Sequence, residues 1–274
     1  MTRPHRSVRF AHRAVCLAVC LAACALAACS EAKEAERVEL PVVTDGAGLG
    51  VVTSDLGYEV ELSSASLAAD GLKFTIAGEA HVSLWQRLSD IVVPVARAHP
   101  GHFQGGEVTG ELPGHFVLRF VPGEVHELGV ATLLAGTYHA VNLGLSYASS
   151  DDVDAGDPLA GHTAVLSGTA TKDGAQVEFQ VVIDSPEGRE LVGIPFEEEI
   201  ASSTQQTLAL RFNPLDPLEM DTLFDGVDFA ALDADADGRV ELDPRAADEA
   251  TAAAYNLIRR VFQTHDHFVV QSRH

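Results

Sequence analysis

An antiparallel β-sandwich or barrel with a small C-terminal helical segment is the fold this sequence predicts, on three observations. Apolar and polar side chains alternate with period two through much of residues 50–212. Clusters of Gly, Asp and Pro break that alternation at short intervals. After about residue 213 the apolar spacing becomes helical.

Taken in order, Tyr58-Glu59-Val60-Glu61-Leu62, Leu72-Lys73-Phe74-Thr75-Ile76 and Phe116-Val117-Leu118-Arg119-Phe120 each read as a strand with one buried face. Residues 163–184 read as a hairpin. Thr171-Lys172-Asp173-Gly174 supplies its turn, where glycine takes positive φ without steric cost. Val177, Phe179 and Val181 then share a face, and Leu208, Leu210 and Phe212 repeat the alternation. The Gly-Asp-Pro-rich stretch at 150–161 separates strands. Between about 84 and 114 the pattern lapses into a short helix at 84–90, carrying Trp85, and then a loop that bears His99 and His102. At the C-terminus, residues 245–263 place Tyr255, Leu257, Ile258, Val261 and Phe262 on one face of a helix, with Pro244 near its start. About 160 residues of alternating pattern are enough for one core.

The first 28 residues differ in kind. Arg3, Arg6, Arg9 and Arg13 precede a wholly apolar or small run over 14–28, after which polar residues follow Cys29 at once. A basic flank, a short apolar stretch and a small-residue cut site describe a secretory signal. Fifteen residues in a helix reach roughly 22 Å, short of the ~30 Å hydrocarbon core. Leu26-Ala27-Ala28-Cys29 resembles the bacterial lipobox. That resemblance implies lipidation of Cys29, anchoring in the cell envelope and, with Ser30 next, sorting to the outer membrane. The expected organisation is therefore a signal peptide over 1–28, a tether over 29–49, a β-sandwich domain over 50–212 and a helical segment over 213–274.

Maturation changes the chemistry. Leu21-Ala22-Ala23-Cys24 also fits the lipobox, but a cut there would leave more of the apolar run on the mature chain. With the cut at Cys29 that the resemblance implies, Cys16, Cys20 and Cys24 would leave with the signal and Cys29 would be acylated, leaving no thiolate for disulfides, nucleophilic catalysis or cysteine-based zinc sites. Fourteen basic residues then face 40 acids, a formal charge of −26. Such a surface repels phosphate backbones, excludes nucleic acid as a partner and attracts cations.

The sharpest internal motif is Asp233-Ala234-Asp235-Ala236-Asp237-Gly238-Arg239-Val240. Ca²⁺ takes six to eight oxygens, and carboxylates at alternate positions converge on one point. Gly238 permits a sharp turn, the Arg239 carbonyl adds an oxygen and Val240 anchors the loop. Residues 225–260 resemble an EF-hand, which implies Ca²⁺ as a ligand. The departure lies at the twelfth loop position, where Pro244 replaces the bidentate acid; Asp243, Asp248 and Glu249 are the nearest substitutes.

Two histidine pairs form the second constellation: His99 with His102, and His265 with His267. Without thiolates, imidazole is the route to tight Zn²⁺ or Cu²⁺ binding. A four-ligand site from both pairs requires the C-terminus to fold beside the long loop. Neither HExxH nor a phosphate-cradling glycine loop is present. Gly144-Leu145-Ser146-Tyr147-Ala148 lies in an alternating strand with no helix after it, unlike a nucleophile elbow. The expected function is therefore binding, not catalysis: an envelope-anchored lipoprotein holding Zn²⁺ or Cu²⁺ through histidines, with a structural Ca²⁺ loop. The alternative is a surface interaction module whose β-sandwich binds an envelope protein or a glycan.

Overall fold

The computed structural model describes residues 36–76, 106–246 and 248–273. The signal peptide, Cys29, the 84–90 helix with Trp85, His99 and His102 lie outside the described residues.

The chain is mainly β. Its strands are β1 (Arg37–Asp45), β2 (Val52–Thr53), β3 (Glu59–Ile76), β4 (Glu107–Phe120), β5 (Val125–Leu134), β6 (Gly136–Leu145), β7 (Ala164–Lys172), β8 (Ala175–Ile183), β9 (Glu190–Ile200), β10 (Thr207–Phe212), β11 (Arg239–Leu242) and β12 (Phe268–Arg273). Two helices, α1 (Phe229–Leu232) and α2 (Glu249–Phe262), flank β11. The strands join one sheet in the order β11-β8-β7-β3-β4-β5-β1-β10-β12, with β2 and β6 branching from β3 and β9 pairing with β6.

β3 organises the sheet. Its first half pairs with β7 and its second half with β6, while β4 runs along the other edge. The two halves, read from sequence as separate strands, are one strand that bulges at Gly71, whose φ of 75° an L side chain rarely adopts. The hairpin turn is as expected: Asp173 and Gly174 have φ of 51° and 82°, which suits the twist of β7 and β8. Phe74, Tyr138 and Phe196 meet edge-on or tilted in one part of the core, and Phe212, Phe262 and Phe268 in another.

Four expectations are corrected. The sheet is mixed, because β1–β10 and β11–β8 are parallel, and among the described residues it is not a closed barrel. The tether assigned to 29–49 contains β1, whose alternate side chains are buried between β5 and β10. Buried Asp45 fixes this strand: Arg211 of β10 donates to its Oδ2 from Nη2 at 2.6 Å. Burial alone would raise the Asp45 pKa, but the Ala47 N–H and the Arg211 guanidinium outweigh it and hold it low. The loop expected up to residue 114 is strand from Glu107 onward. Finally, residues 213–274 form no separate segment, since β11 extends the sheet at β8 and β12 extends it at β10.

Candidate metal centre

The loop at 233–238 is built from the sheet outward. α1 is only four residues long, so its position depends on anchors. Asp228 caps it by accepting the Ala231 N–H at 3.2 Å, and the same Oδ1 takes the Tyr58 hydroxyl at 2.6 Å. The Tyr58 oxygen in turn accepts the Ala230 N–H at 3.0 Å. Phe229 is fully buried against Tyr58, Phe179 and Phe224, with ring centroids 5.4, 5.1 and 6.1 Å away. Asp225 Oδ1 accepts the Asp55 N–H at 2.9 Å, and Asp55 Oδ1 accepts the Gly226 N–H at 2.7 Å.

Beyond α1 the chain curls around Asp233. Its carboxylate accepts the N–H groups of Asp237 at 3.0 Å and of Gly238 at 3.2 Å. Asp237 accepts the Arg239 N–H at 2.9 Å. Ala236 and Gly238 take φ of 56° and 79°, which reverses the chain twice. The outcome is that Asp233, Asp235 and Asp237 each offer a carboxylate oxygen within 4.8 Å of the others. The loop then runs into β11, which pairs in parallel with β8 and buries Val240 and Leu242. The anchor expected at Val240 is therefore a strand on the sheet edge.

The twelfth-position gap is not filled by the nearest acids. Asp243 stands outside the cluster, and its Oδ1 accepts the Arg245 N–H at 2.6 Å. Asp248 caps α2 through Thr251, whose hydroxyl and N–H hold its pKa low. Glu249 lies in the first turn of that helix.

A second acidic cluster escaped the sequence reading. Asp216, Glu219 and Asp221 also bring carboxylate oxygens within 4.8 Å of one another. A tight turn does this: Asp216 N–H donates to the Asp221 carbonyl at 2.9 Å, and Met220 takes φ of 61°. The signal for it is the acid spacing in DPLEMD, at positions 216, 219 and 221.

Of the predicted histidine ligands, two can be placed. His267 is 1% exposed, and its Nδ1 lies 3.0 Å from the Asn213 carbonyl. Burial lowers its pKa despite nearby Asp216 and Asp221. His265 Nε2 lies 3.3 Å from Asp266. Among the described residues, both cation-competent clusters are carboxylate only and include neither histidine. No protein family, curated protein or solved structure matches the chain.

Proposed function

We propose that this protein is an envelope lipoprotein, anchored through Cys29, whose β-sheet domain is locked by Ca²⁺ at Asp233, Asp235 and Asp237. The observation that carries this reading is the convergence of those three carboxylates at the point where the chain passes from α1 onto the sheet edge. Three hard oxygens with the Arg239 carbonyl suit Ca²⁺, and water would complete the shell. Without a bidentate twelfth ligand the affinity belongs in the weak extracellular range, about 10⁻⁴–10⁻³ M. The ion's role is structural: it neutralises the loop and holds β11 against β8. Binding of an envelope protein or a glycan by the sheet is the partner role that such a lock would serve.

Thermal melting with and without Ca²⁺ tests the lock. A tenfold excess over Kd should add about 1.4 kcal/mol, a rise in Tm of about 3–5 °C. Asp233→Asn with Asp237→Asn should abolish the rise, and an unmoved wild-type curve across millimolar Ca²⁺ sinks the reading. Zn²⁺ in the same titration examines the imidazoles. His267 supports them, because an Nδ1–H held by a carbonyl is the orientation a metal-ligating imidazole adopts. A Zn²⁺ shift that survives the double variant and is lost in His267→Gln belongs to the histidines. Fractionation tests the anchor: Cys29→Ser should leave the membrane fraction, and unchanged partitioning refutes lipidation.

A further inference from the structure

Residues 146–163 join β6 to β7 and lie across the outer face of the sheet. This strap carries its own small apolar cluster, apart from the main core. Ala148 and Leu159 of the strap, both buried, pack with Ala68 of β3 and Val165 of β7, with Val117, Val153 and Val182 at the margin. So small a cluster stabilises the strap only modestly. Polar contacts must therefore decide whether it stays down.

Those contacts follow from strand register. Period two puts His115, Val117 and Arg119 of β4 on the outer face, opposite Asp70, Ala68 and Ser66 of β3. Val117 and Ala68 supply the apolar floor, and the two flanking side chains reach up to the strap. Arg119 Nη2 lies 3.4 Å from Asp157. His115 does more, because it uses both ring nitrogens. Nδ1 is 2.7 Å from Asp70 Oδ1, and Nε2 is 3.1 Å from Asp152 Oδ2 on the strap.

A carboxylate only accepts hydrogen bonds, and a neutral imidazole has only one N–H to donate. A histidine can donate to two carboxylates at once, through both nitrogens, only as the imidazolium. We propose that the strap is a proton-gated latch: His115, charged, ties β3 and the strap together through Asp70 and Asp152, and loss of its proton frees the strap from the sheet.

The surroundings agree. The groups that face the ring are Asp70 from β3, Asp152 from the strap and the uncharged Ser146 hydroxyl, 3.3 Å from Nδ1, just past β6. From β7, Val165 packs against the strap. The Asp70 hydrogen bond, against the opposing pull of burial, and then the charge of Asp152 raise the His115 pKa above 6.5. Asp152 stays ionised over that range, because the Ser149 hydroxyl and N–H hold its pKa low. The sign follows. A histidine with a raised folded pKa contributes its stabilisation fully below pH 6.5 and loses it as pH rises through the folded value. The latch is closed in mild acid and opens toward alkaline pH.

Opening would be local. At the far end His162 Nδ1 lies 2.8 Å from Asp184, and Thr163 accepts the Ser185 N–H through its hydroxyl at 3.0 Å. These contacts keep the return to β7 in place, and Ala148 is held to it through the His162 carbonyl and the Gly161 N–H, so the free stretch lies within roughly 149–160.

Hydrogen exchange on the full chain, corrected for the intrinsic pH dependence of exchange, reads this directly. In wild type, peptides over 149–160 should be several-fold better protected at about pH 5.5 than at about pH 8. His115→Gln should remove the difference and leave the strap fast at both. His162→Gln should keep it. NMR titration of the His115 ring gives a second readout: its pKa should fall in Asp152→Asn. Equal strap protection at both pH values in wild type overturns the proposal. So does a pH response that persists in His115→Gln or vanishes only in His162→Gln.

Discussion

Residues 233–238 and residues 149–157 are both short runs rich in aspartate and small residues on the same sheet, yet their charges are arranged in opposite ways. In the first, acids at every second position are curled inward by the left-handed turns at Ala236 and Gly238, so three carboxylates share one point. In the second the acids fall at irregular spacing and diverge, and Asp152 and Asp157 each meet a cation of the protein itself, His115 and Arg119. On the reading proposed above, the first loop is completed by an ion from solution and the second by the protonated ring of His115. The difference teaches that acid-rich composition alone does not define a cation site; backbone curvature decides whether the charges gather or disperse.

The comparison can be broken at its hydrophobic supports. The largest effect is expected from Phe229→Ala. Removing a fully buried aromatic that seats α1 should cost about 3–5 kcal/mol. Chemical denaturation should show that loss, and the Ca²⁺-dependent rise in Tm should shrink with it, while the pH response of the strap is unchanged. If the Ca²⁺ response stays whole, the loop does not depend on its aromatic anchor. A smaller effect is expected from Leu159→Ala, about 2 kcal/mol, and it should be confined to the strap. Limited proteolysis should cut within 149–160 at both acid and alkaline pH, with the Ca²⁺ response intact. Cleavage unchanged from wild type would mean that the small apolar cluster does not hold the strap.

Local chemistry was the legible part of the sequence. Asp173-Gly174 specifies its turn, the apolar spacing of Tyr255, Ile258 and Phe262 specifies α2, and Asp233, Asp235 and Asp237 specify their own convergence, because each involves residues a few positions apart. β1 was hidden because Pro41 and a charged lead-in read as a spacer. The strand tolerates Pro41 beside a register break between Val42 and Val43. β4 was hidden by Gly110, Pro113 and Gly114. Gly110 is required there, since a Cβ would come within 2.8 Å of Leu133. The latch was invisible for a different reason. His115 meets Asp70 and Asp152 at 45 and 37 residues' separation, and only strand register brings them together. The parallel additions of β10 to β1 and β11 to β8 are likewise decided by tertiary packing, which period-two alternation does not encode.

The place of β1 in the sheet has a mechanical consequence. It is the first described strand after the proposed anchor, and it lies between β5 and β10, not at an edge. Tension drawn from the membrane would pull this strand along its own axis. The antiparallel ladder to β5 and the parallel ladder to β10 would then have to slide and rupture together. An edge strand would instead peel away one hydrogen bond at a time. A domain threaded this way resists extraction in shear, the geometry in which a sheet is hardest to pull apart.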